Sequence, residues 1–209
     1  MLDVEGFILV GGASSRMGAD KTQLMFGGRT GIQRIAAEMA ALTNGVRLVG
    51  SRDEAGDSGF ENVPDVLDRW GALGGIYSAL SACRAISAIV VACDLPLVTM
   101  DLFARLWQFN SDTFDAIVPI QPDGRPQPLC AIYRRAVNSE EAARLIATGE
   151  HMPRALLAQV RTRWVEFREL ADLPGAEHFF LNVNTPADYE LAKQILERRI
   201  SAPLQNRSL

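Results

Sequence analysis

Two rhythms of apolar residues alternate along this chain. Short unbroken runs at 7–10 (Phe-Ile-Leu-Val), 46–50 and 87–93 read as strands buried on both faces, being too short for helices and lacking a polar face. Between them apolar residues recur three and four apart. Ile32, Ile35, Ala36, Met39 and Leu42 predict a helix over 31–42, and Ile76, Leu80 and Cys83 predict a second over 73–84. Further strands are expected at 115–120, 129–133, 162–168 and 179–181. Further helices are expected over 101–109 with Thr99 as cap, from Asn138-Ser139-Glu140-Glu141 to a stop at Gly149, from Met152-Pro153, and over 186–199. This alternation predicts an α/β fold: three layers, a doubly wound and mostly parallel sheet, and an antiparallel edge portion. Residues 1–200 are expected to form one domain and 201–209 a polar tail.

Composition narrows the partners. With 209 residues, 48% of them hydrophobic, the chain can bury roughly 70% of its unfolded surface in one core. A net charge of −4 and the absence of any Lys/Arg run argue against general nucleic-acid binding, so an anionic ligand must be met locally. No run approaches the ~20 apolar residues of a membrane span, and the acidic start Met1-Leu2-Asp3-Val4-Glu5 has no basic region of a signal peptide. Cys83, Cys93 and Cys130 are odd in number, scattered and set among apolar residues, which suits buried thiols in a reducing, cytoplasmic setting. Two histidines and no Cys-x-x-Cys give no zinc motif.

Candidate chemistry concentrates after two of the strands. The first strand runs into Gly11, Gly12, Ser14, Ser15, Arg16 and Lys21: glycines that let bare N–H groups approach a ligand, followed by two cations. Asp94 follows the strand at 87–93. Ligands of such sheets bind at the carboxyl ends of strands near the reversal of strand order, so Asp94 would face the glycine loop if the two strands are neighbours, and could hold a metal that neutralises phosphate. Taken singly, the glycines could be a turn, Lys21 a solvated charge and Asp94 a turn cap. The spacing is neither Gly-x-x-x-x-Gly-Lys-Ser/Thr nor Gly-x-Gly-x-x-Gly, and there is no Gly-x-Ser-x-Gly.

Together these segments resemble a family. Leu9-Val10-Gly11-Gly12 with Arg16-Met17-Gly18 and Asp20-Lys21 is similar to the signature of nucleotidyltransferases of the molybdenum cofactor guanylyltransferase type. Gly71-Ala72-Leu73-Gly74-Gly75, Cys93-Asp94-Leu95-Pro96, Pro126-Gln127-Pro128-Leu129-Cys130-Ala131-Ile132-Tyr133 and Asn182-Val183-Asn184-Thr185-Pro186 follow in the family's order, while Val10, Val49 and Ala72 depart from its pattern. The resemblance implies a Rossmann-like nucleotidyltransferase fold and transfer of GMP from Mg²⁺-bound GTP to the terminal phosphate of molybdenum-bound molybdopterin, with release of pyrophosphate. It implies that Leu9, Val10, Gly11, Gly12, Lys21, Asp65 and Asp94 bind the nucleotide, that Arg16, Lys21 and Asp94 serve catalysis, that Asp94 holds the metal, and that Asn182 and Asn184 face the acceptor. It also allows passing contact with molybdoenzymes or other cofactor-biosynthesis proteins. Gly11-Gly12, where related cytidylyltransferases read Leu-Ala-Ala-Gly, leans towards guanine. Asn184 or Thr185 could equally cap the helix beginning at Pro186. Two other readings stay open: nucleotidyl transfer to another phosphorylated acceptor, including cytidylyl transfer to molybdopterin or a sugar phosphate, and a non-catalytic module that delivers the cofactor.

Overall fold

The computed structural model describes residues 2–10, 23–50, 59–67 and 70–201. Nine strands and six α-helices are found among them. The strands are β1 (Val4–Leu9), β2 (Met25–Phe26), β3 (Arg29–Thr30), β4 (Val46–Val49), β5 (Asn62–Val63), β6 (Ser87–Ala92), β7 (Ala116–Pro119), β8 (Cys130–Arg134) and β9 (Thr162–Val165). The helices are α1 (Gly31–Ala40), α2 (Gly71–Ala82), α3 (Met100–Gln108), α4 (Arg135–Ala147), α5 (Pro153–Gln159) and α6 (Pro186–Ser201). Seven strands form one sheet in the order β5-β4-β1-β6-β8-β7-β9. All run in one direction except β8, which is antiparallel to both β6 and β7 and lies towards the β9 side of the sheet.

The central strands are covered on both faces, and their sequences show why. Along β1, Ile8 packs into the core under α1 and α3 while Phe7 and Leu9 pack into the core under α2, α4 and α5. Every residue of β6 is buried, with Ile89 and Val91 in the first core and Ala88 and Val90 in the second. A strand with no polar face survives only between two layers, and each fully buried Val, Leu, Ile or Phe contributes about 1.5–3 kcal/mol. A third cluster lies beyond the sheet. There α6 buries Ala192, Ile195 and Leu196 against Phe26 of the β2–β3 hairpin, Leu97 and Val183.

Local signals set the helix starts. Thr30 Oγ1 accepts from Gln33 N at 3.2 Å while Gln33 Oε1 accepts from Thr30 N at 3.0 Å, a reciprocal cap that opens α1. Thr99 caps α3 as the sequence suggests, accepting from Leu102 N. Three expectations are corrected, the first being the strand over 162–168, which ends at Val165 and gives way to a 3-10 turn at Phe167–Glu169. The Asn138-Ser139-Glu140-Glu141 segment does not open a helix: α4 begins at Arg135, and Asn138 is fully buried inside it, donating through Nδ2 to the carbonyls of Asp115 at 2.7 Å and Arg134 at 2.8 Å. Asn138 lies inside the first turn rather than before it, and its NH₂ group ties the helix to the Asp115 carbonyl instead of its oxygen capping an N-terminus. Residues 179–181 form no strand but follow the short 3-10 turn Ala176–His178, with Phe179 and Phe180 both buried.

Asp115, just before β7, is buried and bound through both carboxylate oxygens by Arg161, just before β9, at 2.7 and 2.8 Å. Hydrogen bonds from the guanidinium hold its carboxyl below the ordinary value of 3.8. A carboxyl lowered by folding contributes stability that is present above its unfolded pKa and is lost as pH falls through the folded one. Asp115→Asn is therefore expected to be less stable than the parent at neutral pH, with the gap narrowing as the pH drops through the carboxylate range. Denaturant melts at a series of pH values check this, and a gap that does not change with pH would refute the pair as its source.

Candidate active site

The reversal of strand order places the site. From β1 the chain crosses through α1 to β4 and β5, then returns through α2 to β6 on the other side of β1. The switch point is therefore the crevice between the carboxyl ends of β1 and β6, where open α/β sheets bind their ligands. Cys93 N donates to Leu9 O at 3.1 Å across it, and on the other flank Val10 N donates to Val49 O at 2.8 Å. Leu9 and Val10, expected to line the nucleotide, thus sit in the floor of this crevice, both buried. Gly75 lets α2 lie close over Leu9: a Cβ there would stand 3.1 Å from Leu9 Cδ1. Gly11, Gly12, Arg16 and Lys21 lie outside the described residues.

Asp94 is half-buried, two residues beyond β6 at the same edge. Its carbonyl accepts from Val183 N at 2.9 Å, so the turn carrying Asn182 and Asn184 is pinned by its middle residue to the main chain of the metal-ligand candidate. Both asparagines are exposed. The cap of α6 is Thr185: its Oγ1 accepts from Asp188 N at 3.2 Å, and Asp188 Oδ2 accepts from Thr185 N at 2.8 Å and from Asn184 N at 3.0 Å. The capping function is thus met by Thr185 and Asp188.

Asp65 is exposed just past β5, at the same edge. The segment is tied down by its next residue, Val66 N donating to Ser78 Oγ at 2.9 Å, while that hydroxyl donates to Gly74 O at 2.9 Å within α2. Leu9, Val10, Asp65, Asp94 and the Asn182/Asn184 turn therefore share the carboxyl edge of the sheet. Among the described residues no three His, Cys, Asp or Glu side chains gather to hold an ion unaided. A single carboxylate such as Asp94 fits a hard divalent cation that completes its shell with substrate phosphates and water.

Sequence reasoning passed over two residues here. Gly50, at φ +146°, runs so close to the Val10 carbonyl that a Cβ would fall 1.8 Å from its oxygen, and Asn62 Nδ2 donates to Gly50 O at 3.2 Å. Neither carries a motif, since their importance depends on strand register.

Residues 6–164 match the family model described as the MobA-like NTP transferase domain. The chain belongs to the MobA-like NTP transferase family. Membership makes it a nucleotidyltransferase. Over 202 residues it is 34% identical to a Pelotomaculum thermopropionicum protein named "Probable molybdenum cofactor guanylyltransferase", covering 94% of this chain and 95% of that one. Its fold matches molybdopterin-guanine dinucleotide biosynthesis protein A from Archaeoglobus fulgidus with a TM-score of 0.78, at 24% identity, over 93% of this chain and 99% of the other. It also matches 2-C-methyl-D-erythritol 4-phosphate cytidylyltransferase from Thermus thermophilus, with a TM-score of 0.66 at 20% identity over 94% and 100% of the two chains. MobA-like and cytidylyl-transferring proteins share this frame, so base choice must come from side chains rather than topology. No helix among the described residues is long and apolar enough to cross a membrane.

Proposed function

We propose that this nucleotidyltransferase moves GMP from Mg²⁺-bound GTP onto the terminal phosphate of molybdenum-bound molybdopterin, forming the guanine dinucleotide cofactor and pyrophosphate. A phosphate oxygen of the acceptor attacks the α-phosphorus of GTP, the new P–O–P bond forms, and the bond to the β-phosphate breaks. The acceptor is already an anion, so no protein nucleophile is required, and the protein's work is positioning and stabilising charge. The observation that supports this reading is the bond from Val183 N to the main-chain carbonyl of Asp94, which ties the turn carrying Asn182 and Asn184 to the segment just past β6 at the switch point.

In this reading Leu9, Val10, Gly11, Gly12 and Asp65 bind the nucleotide, Asn182 and Asn184 orient the acceptor, and Arg16 and Lys21 meet the phosphates. Asp94 would hold Mg²⁺, which would supply positive charge that offsets the negative charge of the phosphates. Pairing two anionic substrates is the central difficulty, and it explains cations on the nucleotide side with neutral amides on the acceptor side. Incubating the protein with each of the four NTPs, Mg²⁺ and molybdopterin, and measuring pyrophosphate and dinucleotide, tests it. Both products are expected with GTP. Product with CTP alone would refute the guanine choice, and no pyrophosphate with any NTP would refute transfer.

A further inference from the structure

We infer that Asn62 reads the base of the nucleotide, its Oδ1 accepting a hydrogen bond from the donor edge of guanine formed by N1–H and the 2-amino group. This rests on the proposed use of GTP and goes beyond it by naming the residue that selects the base. Asn62 pairs in register with Leu48 of β4, so its side chain shares a face of the sheet with Leu48, whose core also contains Val10. Its Nδ2 donates to Gly50 O at 3.2 Å. A carbonyl can only accept, so the NH₂ must face Gly50 and the amide oxygen must face away. That oxygen is buried and has no hydrogen-bond partner.

A buried acceptor without a partner is a standing cost that an incoming donor would recover. Its location suits a nucleotide. Gly50 lies against the Val10 carbonyl, so Asn62, the first residue of the two-residue β5, is linked through Gly50 to Val10, the latter two lying just past the carboxyl ends of β4 and β1. Of the other buried orphan atoms among the described residues, Arg134 Nε and Asn138 Oδ1 belong to the end of β8 and the start of α4, at the opposite edge of the sheet, and Arg34 Nε belongs to α1. Guanine presents two adjacent donors, whereas cytosine and adenine each place a ring-nitrogen lone pair beside a single amino group. An acceptor fixed by its bond to Gly50 favours the first and repels the lone pair of the others.

Equilibrium binding of GTP and of purine riboside triphosphate, which lacks both N1–H and the 2-amino group, tests the assignment in the parent, Asn62→Leu and Asn62→Ala. The two substitutions guard against a folding failure in either one, and circular dichroism melts identify the folded variant to be read. GTP is expected to bind about tenfold more weakly to the variants, the loss of one hydrogen bond. The purine analogue should bind them as it binds the parent, so the preference for GTP collapses. Equal weakening of both nucleotides would show a merely structural role, and an unchanged preference would show that another group reads the base; either overturns the inference. A parent protein with no preference for GTP would instead overturn the guanine reading itself.

Discussion

Replacing Asp94 by alanine is expected to slow GMP transfer by about 100-fold or more while leaving the protein folded, the scale of loss when one preorganised electrostatic contact is removed from a transition state. The separation of chemistry from folding follows from how the residue is used. What ties the Asn182/Asn184 turn to the switch point is the carbonyl of Asp94, accepting from Val183 N, and alanine keeps that carbonyl. The packing below it is carried by Leu95, Leu97 and Val98, all buried. Lys21→Ala is expected to lose turnover on the same scale, because the cation proposed to meet the phosphates would be removed. Pyrophosphate release measured with GTP and molybdopterin, with melting temperature alongside, checks both variants. Near-normal turnover in both would sink the assignment of these residues to the α-phosphate, and a collapse in melting temperature at Asp94→Ala would make the carboxylate structural.

Most of the frame was legible because strands buried on both faces leave a plain mark. Phe7 to Val10 and Ser87 to Cys93 carry no polar face, and the structure places β1 and β6 side by side at the centre of the sheet. Apolar runs misled where burial came without a ladder. Phe179 and Phe180 are buried by a turn that fills the space under α3, and three apolar residues cannot tell a strand from such a plug. Capping chemistry was readable at Thr99 and at Thr185, where the partner is local. It misled at Asn138, whose partner Asp115 is distant in sequence. The β2–β3 hairpin, turned by Gly27 and Gly28, is two residues deep on each side and too short for periodicity to register.

For the candidate site, the motifs nominate residues and their order, but not which of them touch. Nothing in Cys93-Asp94-Leu95-Pro96 or in Asn182-Val183-Asn184 indicates that the middle amide of one meets a carbonyl of the other. That contact is a product of α6 returning across Leu97 and the hairpin, a tertiary event. The row Asn62, Gly50, Val10 was invisible for a related reason. Its meaning lies in the parallel register Leu48 with Asn62 and Val49 with Val63, which brings a plain strand asparagine to a glycine carbonyl just past β4.

Gly50→Ala should be among the most damaging single substitutions to stability in this protein. The backbone at Gly50 has φ +146°, a region that side chains avoid, and an added Cβ would stand 1.8 Å from the oxygen and 2.9 Å from the carbon of the Val10 carbonyl. Backbone cannot yield as a flexible side chain would, and Gly50 is itself held on both sides, its N–H donating to Val63 O at 3.1 Å and its carbonyl accepting from Asn62. Relief therefore requires parting β4 from β1 or β5 at the edge where the nucleotide is proposed to bind. The expected loss is about 3 kcal/mol or more, which for a domain of this size is a fall in melting temperature of roughly 6–12 °C. Gly45→Ala is the matched control, since a Cβ there meets nothing within 4 Å and its φ is not positive. That variant is expected to stay within about 0.5 kcal/mol of the parent. Thermal melts of both variants decide the matter: similar melting temperatures for the two would mean that the close approach of β4 to Val10 is not what Gly50 serves. If the approach does matter, any Gly50→Ala protein that still folds should also bind GTP more weakly, because the row from Val10 to Asn62 can no longer close.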